Sequence, residues 1–332
     1  MAQNNLTFQA FRVEEKDHEY ISNIKQTSFT ALENDEILVK VHYSSLNYKD
    51  ALSASGNKGV TRNFPHTPGI DASGIIEDSK NDSFKKGDKV IVTSYDLGMN
   101  TDGGFGEYIK VPSKWAIKLP ENLTLKEAMI LGTAGLTAGI SVLRLTELIK
   151  PEDGKIVVSG ATGGVGSLSI AILNKLGYSV TAITGKESEK DFLHQLGASE
   201  IILRDDFESL ENKPLLKTMF SGAIDTVGGP ILENIIKTTE YTGAITCCGN
   251  VASPKLNLTV FPFILRGITL IGIDSQNYPM KYRSIAWNKL ATDWKPTQLL
   301  KNHKQITLNE LQNHIDLMLE GKSKGRVIIK IA

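Results

Sequence analysis

The chain has 332 residues, of which 41% are hydrophobic and 22% are charged. This length exceeds the size at which a single hydrophobic core stops growing, so the sequence predicts two folded domains rather than a disordered or fibrous protein. Its 37 basic and 37 acidic residues give a net charge of +0 without long runs of one sign, which argues against a nucleic-acid partner.

The sequence also carries information about compartment. Residues 1–6 lack the basic and apolar regions of a signal peptide, and we find no stretch long and apolar enough to cross a bilayer, so we expect a cytoplasmic protein with no membrane partner. The two cysteines, Cys247 and Cys248, are adjacent in an apolar run that is typical of a core strand. They predict neither a disulfide framework nor a structural zinc site with four thiolates.

The first part of the chain, up to Pro120, alternates short β-rich runs with turns rich in Gly, Pro, Asn and Asp. The clearest strands are residues 36–41, 88–93 and 105–111. This pattern predicts a barrel-like β domain over residues 1–124. The tail contains a predicted helix at 308–319 and a strand at 326–330, and we expect residues 284–332 to complete the first domain.

From residue 125, after the candidate helix cap Thr124, short apolar strands alternate with amphipathic helices. The first strand, 156–159, is followed by a helix that carries apolar residues on one face at Val165, Leu168, Ile172 and Leu176. Further strands are predicted at 179–183, 201–203, 223–227, 244–248 and 268–271. Six or so parallel strands predict a doubly wound α/β Rossmann domain over residues 125–283.

A glycine-rich turn, Gly160-Ala161-Thr162-Gly163-Gly164-Val165-Gly166, lies directly between the first of these strands and its helix. Glycines in this position let the backbone approach a pyrophosphate, and the first N–H groups of the helix stabilise its charge. A glycine-rich connection that binds nothing is the alternative interpretation. The strand-turn-helix context favours dinucleotide binding, with Ala161 replacing the first glycine of the usual motif.

The end of the next strand bears on the choice between NAD and NADP. A carboxylate there would bind a ribose 2′-hydroxyl, but this sequence has Thr184-Gly185-Lys186. Lys186 and Arg204 can supply positive charge to a 2′-phosphate, so the sequence predicts NADPH. Alternatively, Lys186 is a solvated surface residue and Arg204 pairs with Asp205 or Asp206. Glu187 follows directly, and its negative charge weakens the argument for NADPH.

Several motifs in this order together resemble a known family. They are Ser44-Ser45-Leu46-Asn47-Tyr48-Lys49-Asp50, Arg62-Asn63-Phe64-Pro65, Pro68-Gly69-Ile70-Asp71, Gly132-Thr133-Ala134-Gly135, the glycine turn, residues 184–188, residues 222–228 and Pro262-Phe263-Ile264-Leu265-Arg266. The chain resembles the acrylyl-CoA reductase branch of the quinone-oxidoreductase-like medium-chain dehydrogenases/reductases along nearly its whole length. The resemblance implies a GroES-like catalytic domain followed by a Rossmann NADPH-binding domain, and a homodimer joined through residues 268–273.

Two departures from the zinc alcohol dehydrogenases of this superfamily affect the expected chemistry. The segment Leu46-Asn47-Tyr48 replaces a ligating Cys, and Gly69-Ile70-Asp71 replaces Gly-His-Glu. The six histidines show no metal-binding spacing either. We therefore expect no catalytic zinc and no alcohol oxidation by the zinc mechanism.

Hydride transfer without zinc suits a C=C bond conjugated to a carbonyl, because the enolate that forms needs hydrogen-bond donors at its oxygen. Asn47 and Tyr48 are the candidate catalytic residues, and the resemblance implies that Tyr48 lies against the nicotinamide. Alternatively, Tyr48 only forms a wall of the cleft. Asp50 and Asp71 are expected to fix turns or pair with lysines.

The remaining cofactor contacts are carried over from the resemblance. They are Tyr48, Thr162, Gly163, Gly164, Val165, Thr184, Gly185, Lys186, Arg204, Asn250, Ile264 and Ser275. Lys186 stands where close relatives use Arg, which keeps the charge but loses the two-pronged geometry. Asn250 replaces an expected apolar residue, although a backbone contact would survive this change.

Three functions are weighed for the chain. The resemblance implies NADPH-dependent reduction of an α,β-unsaturated acyl-CoA, most closely acrylyl-CoA to propanoyl-CoA. A quinone or enone reductase would use the same cofactor geometry, and a non-catalytic NADPH-binding or RNA-binding protein is the alternative from another class. Candidate anchors for the CoA phosphates are Lys58, Arg62, Lys281 and Arg283.

Overall fold

The computed structural model describes residues 6–332 and divides them into two compact units. Unit 1 contains the described residues up to Thr133 together with Asn302–Ala332, and unit 2 is Ala134–Lys301. The sequence pattern predicts boundaries at 124 and 283. The structure instead places residues 284–301 in unit 2, because the helices of this segment pack within that unit. The residues 1–5 used in the signal-peptide argument lie outside the described range.

The elements follow one another in a simple order. Unit 1 begins with β1 (Thr7–Lys16), β2 (Glu19–Ser28), β3 (Glu36–Leu46), α1 (Tyr48–Ala54), β4 (Asp71–Ser79), β5 (Lys89–Thr93), β6 (Tyr108–Pro112) and β7 (Ala116–Lys118). Next come α2 (Leu125–Thr146), β8 (Ile156–Val158), α3 (Gly164–Lys175), β9 (Val180–Thr184), α4 (Lys190–Leu196), β10 (Ala198–Leu203), α5 (Arg204–Glu208) and β11 (Phe220–Asp225). The chain continues with α6 (Gly229–Thr238), β12 (Thr239–Cys247), α7 (Phe261–Arg266), β13 (Thr269–Gly272), α8 (Met280–Ala291), α9 (Thr297–Lys301), β14 (Lys304–Ile306), α10 (Leu311–Leu319) and β15 (Val327–Lys330).

Unit 1 is built on a mainly antiparallel sheet with the order β14-β15-β3-β4-β5-β7, in which β6 also pairs with β3. The strand β15 comes from the tail and pairs antiparallel with the end of β3, with Val327 opposite Leu46. Alternating apolar residues such as Ile37, Val39 and Val41 fill the core beneath the sheet. The pairing brings the tail beside the residues that precede α1.

Unit 2 contains a parallel sheet of six strands with the order β10-β9-β8-β11-β12-β13. This order reverses direction between β8 and β11, as in the Rossmann fold, and confirms the predicted fold class. Parallel strands covered on both faces are buried throughout, which explains the continuous apolar run Ile156–Val158. The loops at the carboxyl ends of β8 and β11 are therefore the expected place for a ligand.

The expectation that no stretch is long and apolar enough to cross a membrane is wrong for helix α2. By length and composition this helix passes, but 83% of its most apolar window is buried inside the protein, as in the core helix of a folded domain. Its start is confirmed at Thr124, whose hydroxyl accepts the N–H of Glu127 at 3.1 Å. Gly132 interrupts the helix with a non-helical φ of 54° and ψ of −155°.

Candidate active site

Asn47 and Tyr48 lie where β3 ends and α1 begins, so backbone geometry fixes their position in unit 1. Asn47 is the helix N-cap with extended backbone angles, and the Asp50 carboxylate accepts its N–H at 2.8 Å. Tyr48 is the first helical residue and is 43% exposed, so its ring and hydroxyl are accessible on the surface of unit 1.

The side chain of Asn47 lies in a buried group of polar residues. This group, here named the carboxylate cluster, consists of Ser45, Asn47, Asp50, Asp71, Thr133 and Arg326. The Asn47 amide donates to the Asp71 carboxylate at 2.8 Å and to the Asp50 carboxylate at 3.2 Å, and its oxygen accepts from Arg326 at 3.2 Å. The structure thus gives the Asn47 amide partners within the protein, while the Tyr48 ring stands outside the cluster.

Arg326 completes the carboxylate cluster from the tail of the chain. It is buried, and its guanidinium donates to the Ile130 carbonyl at 2.7 Å and to the Ser45 hydroxyl at 2.9 Å. That hydroxyl in turn donates to Asp71 at 2.6 Å. Burial lowers the pKa of Arg326, and the nearby charges of Asp71 and Asp50 oppose this effect. Both aspartates accept backbone N–H groups, and the positive charge near them is an arginine, linked to them through Ser45 and Asn47, instead of a lysine.

The interruption of α2 at Gly132 belongs to the same cluster. A Cβ at this position would lie 2.5 Å from an Asp71 carboxylate oxygen and 2.6 Å from the Ser45 hydroxyl, so only glycine fits. The break turns the N–H of Thr133 toward Asp71, which accepts it at 2.9 and 3.0 Å. The Ile130 carbonyl on the other side of the break accepts from Arg326. One break therefore supplies a donor to the anion and an acceptor to the cation.

Asp50 is the acid of the carboxylate cluster whose pKa departs clearly from its ordinary value. Burial and, secondarily, the charge of Asp71 raise its pKa to about 7, although the N–H groups of Ile70 and Asn47 stabilise its ionised form. The cluster thus has two acids and one guanidinium. Its charge changes near neutral pH.

The glycine turn in unit 2 has the geometry of an anion site. Gly163 is the N-cap of α3, and among the described residues no side chain caps it. As at every helix start, the first N–H groups of this 12-residue helix have no acceptor within the helix. Gly160 has a φ of 56°, and a Cβ on Gly166 would lie 2.4 Å from the Gly160 carbonyl oxygen. The turn is thus tight, and Gly163 at the start of the helix is exposed. Uncapped N–H groups at a helix start are suited to bind a phosphate.

Residues beyond β9 provide positive charge near the predicted ribose site. The Thr184 hydroxyl accepts the N–H of Lys186 at 3.0 Å. The guanidinium of Arg204 packs against Gly185, where a Cβ would lie 3.1 Å from its central carbon. Arg204 also donates to Asp205 at 3.3 Å, an exposed pair that contributes little stability. Arg204 is thus a neighbour of Gly185, and the binding of a 2′-phosphate by Lys186 and Arg204 stays a prediction.

Glu187, which weakened the argument for NADPH, pairs with Lys190 at 2.8 Å. This pair forms at the start of α4 and directs the carboxylate toward the helix. The lysine partner lowers the pKa of Glu187. Its charge is therefore partly neutralised.

The other predicted contacts of unit 2 lie on its loops. Ile264, on α7, is 71% exposed. Asn250 lies against Gly228, where a Cβ would be 3.2 Å from the Asn250 Cα. The Ser275 hydroxyl accepts from Thr137 at 2.7 Å. These positions are thus accessible or structurally defined, and their contact with a cofactor stays a prediction.

Two of the candidate phosphate anchors have other partners. Arg283 is fully buried and donates to the Ser275 carbonyl at 2.9 Å, so it is wrong as an anchor for CoA. Lys58 pairs with Glu15 at 2.6 Å and lies over the Phe64 ring at 4.8 Å from its centre. Its charge is already compensated within unit 1.

Comparisons with known proteins agree with this geometry. The family model of the alcohol dehydrogenase GroES-like domain matches residues 33–121, and that of the zinc-binding dehydrogenases matches residues 164–292. The chain is 42% identical to the putative quinone oxidoreductase YhfP of Bacillus subtilis, covering 98% of this chain and 99% of that protein. It is 39% identical to the probable acrylyl-CoA reductase AcuI of Escherichia coli, covering 97% and 99%. The chain belongs to the quinone-oxidoreductase-like group of the medium-chain dehydrogenase/reductase superfamily.

Solved structures of this group extend the similarity to the fold. The yhdH oxidoreductase of Salmonella enterica in complex with NADP superposes with a TM-score of 0.94 at 39% identity, covering 98% of this chain and 100% of that one. The Bacillus subtilis protein yhfP with NAD bound gives 0.95 at 42% identity, with the same coverage. The resemblance inferred from the motifs is thus confirmed, and the chain is an oxidoreductase.

Within this medium-chain reductase, residues 6–332 contain no group of three His, Cys, Asp or Glu side chains that could hold a metal. Asn47, in the segment that replaces the ligating Cys, and Asp71, which replaces the Glu of Gly-His-Glu, both belong to the carboxylate cluster. Arg326 was missed by the sequence analysis. The available signal was a basic residue directly before the buried strand Val327–Lys330.

Proposed function

We propose that this protein reduces the C=C bond of an α,β-unsaturated acyl-CoA with NADPH, most closely acrylyl-CoA to propanoyl-CoA. The observation that carries the cofactor is the uncapped start of α3 at Gly163, together with the basic residues Lys186 and Arg204 that follow the next two strands of the same sheet. The substrate class rests on the identity of 39% to a probable acrylyl-CoA reductase over nearly the whole chain.

The residues of unit 2 would hold the cofactor by its charges. The N–H groups at the start of α3, from Gly164 to Gly166, would bind the pyrophosphate. Lys186 and Arg204 would bind the 2′-phosphate, with Arg204 offering two parallel donors. When bound, NADPH supplies the hydride that reaches the β-carbon of the substrate.

The residues of unit 1 would act on the charge that develops in the substrate. Hydride addition to the β-carbon places negative charge on the thioester oxygen, and the Tyr48 hydroxyl can donate to it. The carboxylate cluster would fix Asn47 and thereby the first turn of α1, which carries Tyr48. Asn47 then acts by positioning Tyr48, since both hydrogens of its amide are donated to carboxylates.

A second candidate is an NADPH-dependent quinone or enone reductase, which the identity of 42% to a putative quinone oxidoreductase favours. Oxidation of NADPH should be followed with acrylyl-CoA, crotonyl-CoA and a benzoquinone at equal enzyme concentration. We expect kcat/KM to be highest for acrylyl-CoA. A kcat/KM for the quinone far above those of both CoA esters would establish the second candidate instead.

A non-catalytic NADPH-binding or RNA-binding role is the alternative from another class. The net charge of +0 offers no attraction for RNA. Titration of NADPH fluorescence followed by the turnover assay separates the two readings. Binding of NADPH without reduction of any of the three substrates would favour the non-catalytic role.

We also propose that the protein is a cytoplasmic homodimer joined through β13. This strand pairs with β12 along one edge, and within the described part of the chain no strand covers its other edge. A partly exposed edge strand is suited to pair with the same strand of a second copy. Light scattering coupled to size-exclusion chromatography should give about twice the chain mass of 36.3 kDa. A monomer at micromolar concentration would contradict this proposal.

A further inference from the structure

A buried carboxylate in unit 2 plays no part in the function proposed above. Asp225 is the last residue of β11 and is fully buried at the carboxyl edge of the parallel sheet. Its carboxylate accepts the Ser159 hydroxyl at 2.6 Å and the N–H groups of Val227 and Gly228 at 3.3 and 2.9 Å. All three donors belong to loops at this edge.

Ser159 links this carboxylate to the glycine turn. It is the residue directly after β8 and directly before Gly160. Its hydroxyl donates to Asp225 and accepts the N–H of Thr226 at 2.9 Å, while its carbonyl accepts the Thr226 hydroxyl at 3.0 Å. The entry to the glycine turn is thus fixed to the end of β11 by three hydrogen bonds.

The packing around these bonds leaves no room for adjustment. A Cβ on Gly160 would lie 2.2 Å from the Thr226 hydroxyl oxygen, and a Cβ on Gly249 would lie 1.9 Å from the Thr226 carbonyl oxygen. A third loop joins here, because the Asp225 carbonyl accepts the N–H of Cys248 at 3.0 Å. The loops after β8, β11 and β12 therefore converge on Asp225 and Thr226.

The three hydrogen bonds to Asp225 favour the ionised form of its carboxylate. Burial raises the pKa of Asp225, and its three hydrogen bonds act in the opposite direction. An amide in its place would turn one acceptor into a donor and set an N–H against an N–H. The resulting strain would act directly on Ser159 and on the turn at Val227 and Gly228, since these supply the donors.

We propose that Asp225 is a positioning residue of the nucleotide site, which holds the glycine turn in the conformation that binds a pyrophosphate. This inference rests on the proposed use of a nicotinamide nucleotide. Because NADPH and NADH share the pyrophosphate, Asp225 supports the binding of both to the same extent. In this respect it differs from Lys186, which faces only the 2′-phosphate in the proposed function.

The test uses the full chain and measures the Kd for NADPH and for NADH by nucleotide fluorescence, well below the melting temperature of each variant. Asp225→Asn should raise both Kd values by the same factor of about tenfold or more, since one buried donor loses its acceptor. Ser159→Ala, which keeps the carboxylate, should raise both by about threefold. The control is Thr246→Val, which removes a buried hydroxyl that donates to the Ala223 carbonyl on the neighbouring strand at 3.4 Å. It should leave both Kd values unchanged.

The outcomes separate this proposal from the function on which it rests. Unchanged Kd values in Asp225→Asn and Ser159→Ala, or an increase for NADPH alone, would overturn the positioning role while leaving the cofactor assignment intact. If Asp225→Asn does not fold, the Kd values of Ser159→Ala decide the question. A wild-type protein that binds neither nucleotide would overturn both the cofactor assignment and the positioning role.

Discussion

The glycine turn of unit 2 presents backbone N–H groups without side-chain caps, whereas the carboxylate cluster of unit 1 consists of buried side chains that hydrogen-bond to one another. The first site is built by nine consecutive residues from Ile156 to Gly164 and the helix they start. The second combines side chains that lie as far apart in sequence as Ser45 and Arg326. The glycine turn thus offers backbone hydrogen-bond donors to a ligand, whereas the side chains of the carboxylate cluster bond to one another and make that site rigid. The difference predicts how each should respond to substitution.

The largest effect should follow loss of the guanidinium in the carboxylate cluster. Arg326→Met removes a buried guanidinium that donates to Ser45, Asn47 and the Ile130 carbonyl and that faces the charges of Asp71 and Asp50, which costs about 3–5 kcal/mol of unfolding free energy. Urea unfolding measures this change. The matched control is Arg12→Met, since Arg12 pairs with the partly exposed Asp102 at 2.7 Å and should matter less. If both variants lose the same unfolding free energy, the complete burial of Arg326 does not add to its contribution to stability.

A substitution at the break of α2 should have the next largest effect. Gly132→Ala places a Cβ against Asp71 and Ser45 in a backbone conformation open only to glycine, so we expect a loss of about 3 kcal/mol. Gly267→Ala is the control, because Gly267 has a φ of 60° but no atom within 4 Å of the added Cβ. This control should lose about 1–2 kcal/mol from backbone strain alone. Thermal or urea unfolding that gives the two variants the same stability would contradict the proposed crowding.

In unit 2 the substitution of a charged residue should change the affinity for NADPH more than the stability of the fold. Lys186→Glu should raise the KM for NADPH by about tenfold or more, since it replaces attraction to the 2′-phosphate with repulsion. The KM for NADH, which lacks this phosphate, should change little. Lys155→Glu removes an exposed pair with Glu200 elsewhere on the unit and serves as the control. An unchanged KM for NADPH in Lys186→Glu would remove this lysine from the phosphate site.

Titration of the carboxylate cluster should change stability gradually, by a small amount for each pH unit. Because the pKa of Asp50 rises to about 7 on folding, the folded protein binds more protons than the unfolded chain between about pH 4 and 7. The contribution of Asp50 to stability is therefore present at low pH and is lost as the pH rises through 7. The slope is at most about 1.4 kcal/mol for each pH unit. Asp50→Asn should flatten this part of the curve in urea unfolding between pH 5 and 8, and an unaltered slope would refute the assignment.

The same contrast explains what the sequence could predict. The glycine turn, Lys186 and Arg204 follow three neighbouring strands of one parallel sheet, so a local pattern sufficed to predict that they lie at the same edge of it. The role of Arg326 depends on the pairing of β15 with β3, which joins residues about 280 positions apart and has no local signature. The helix break at Gly132 could not be predicted either. In the sequence, Gly132 looks like any glycine in an apolar helix, and nothing shows that the break exposes an N–H to Asp71 and a carbonyl to Arg326.

Chain order has a consequence for how the two units form during synthesis. Unit 2 is one continuous segment, Ala134–Lys301, whereas unit 1 needs residues from both sides of it. The nucleotide-binding half can therefore fold while translation continues. Asp50 and Asp71 are synthesised early, but the carboxylate cluster cannot form until Arg326 has been added, after all of unit 2. A nascent chain would thus acquire its glycine turn well before the surroundings of Tyr48 become rigid.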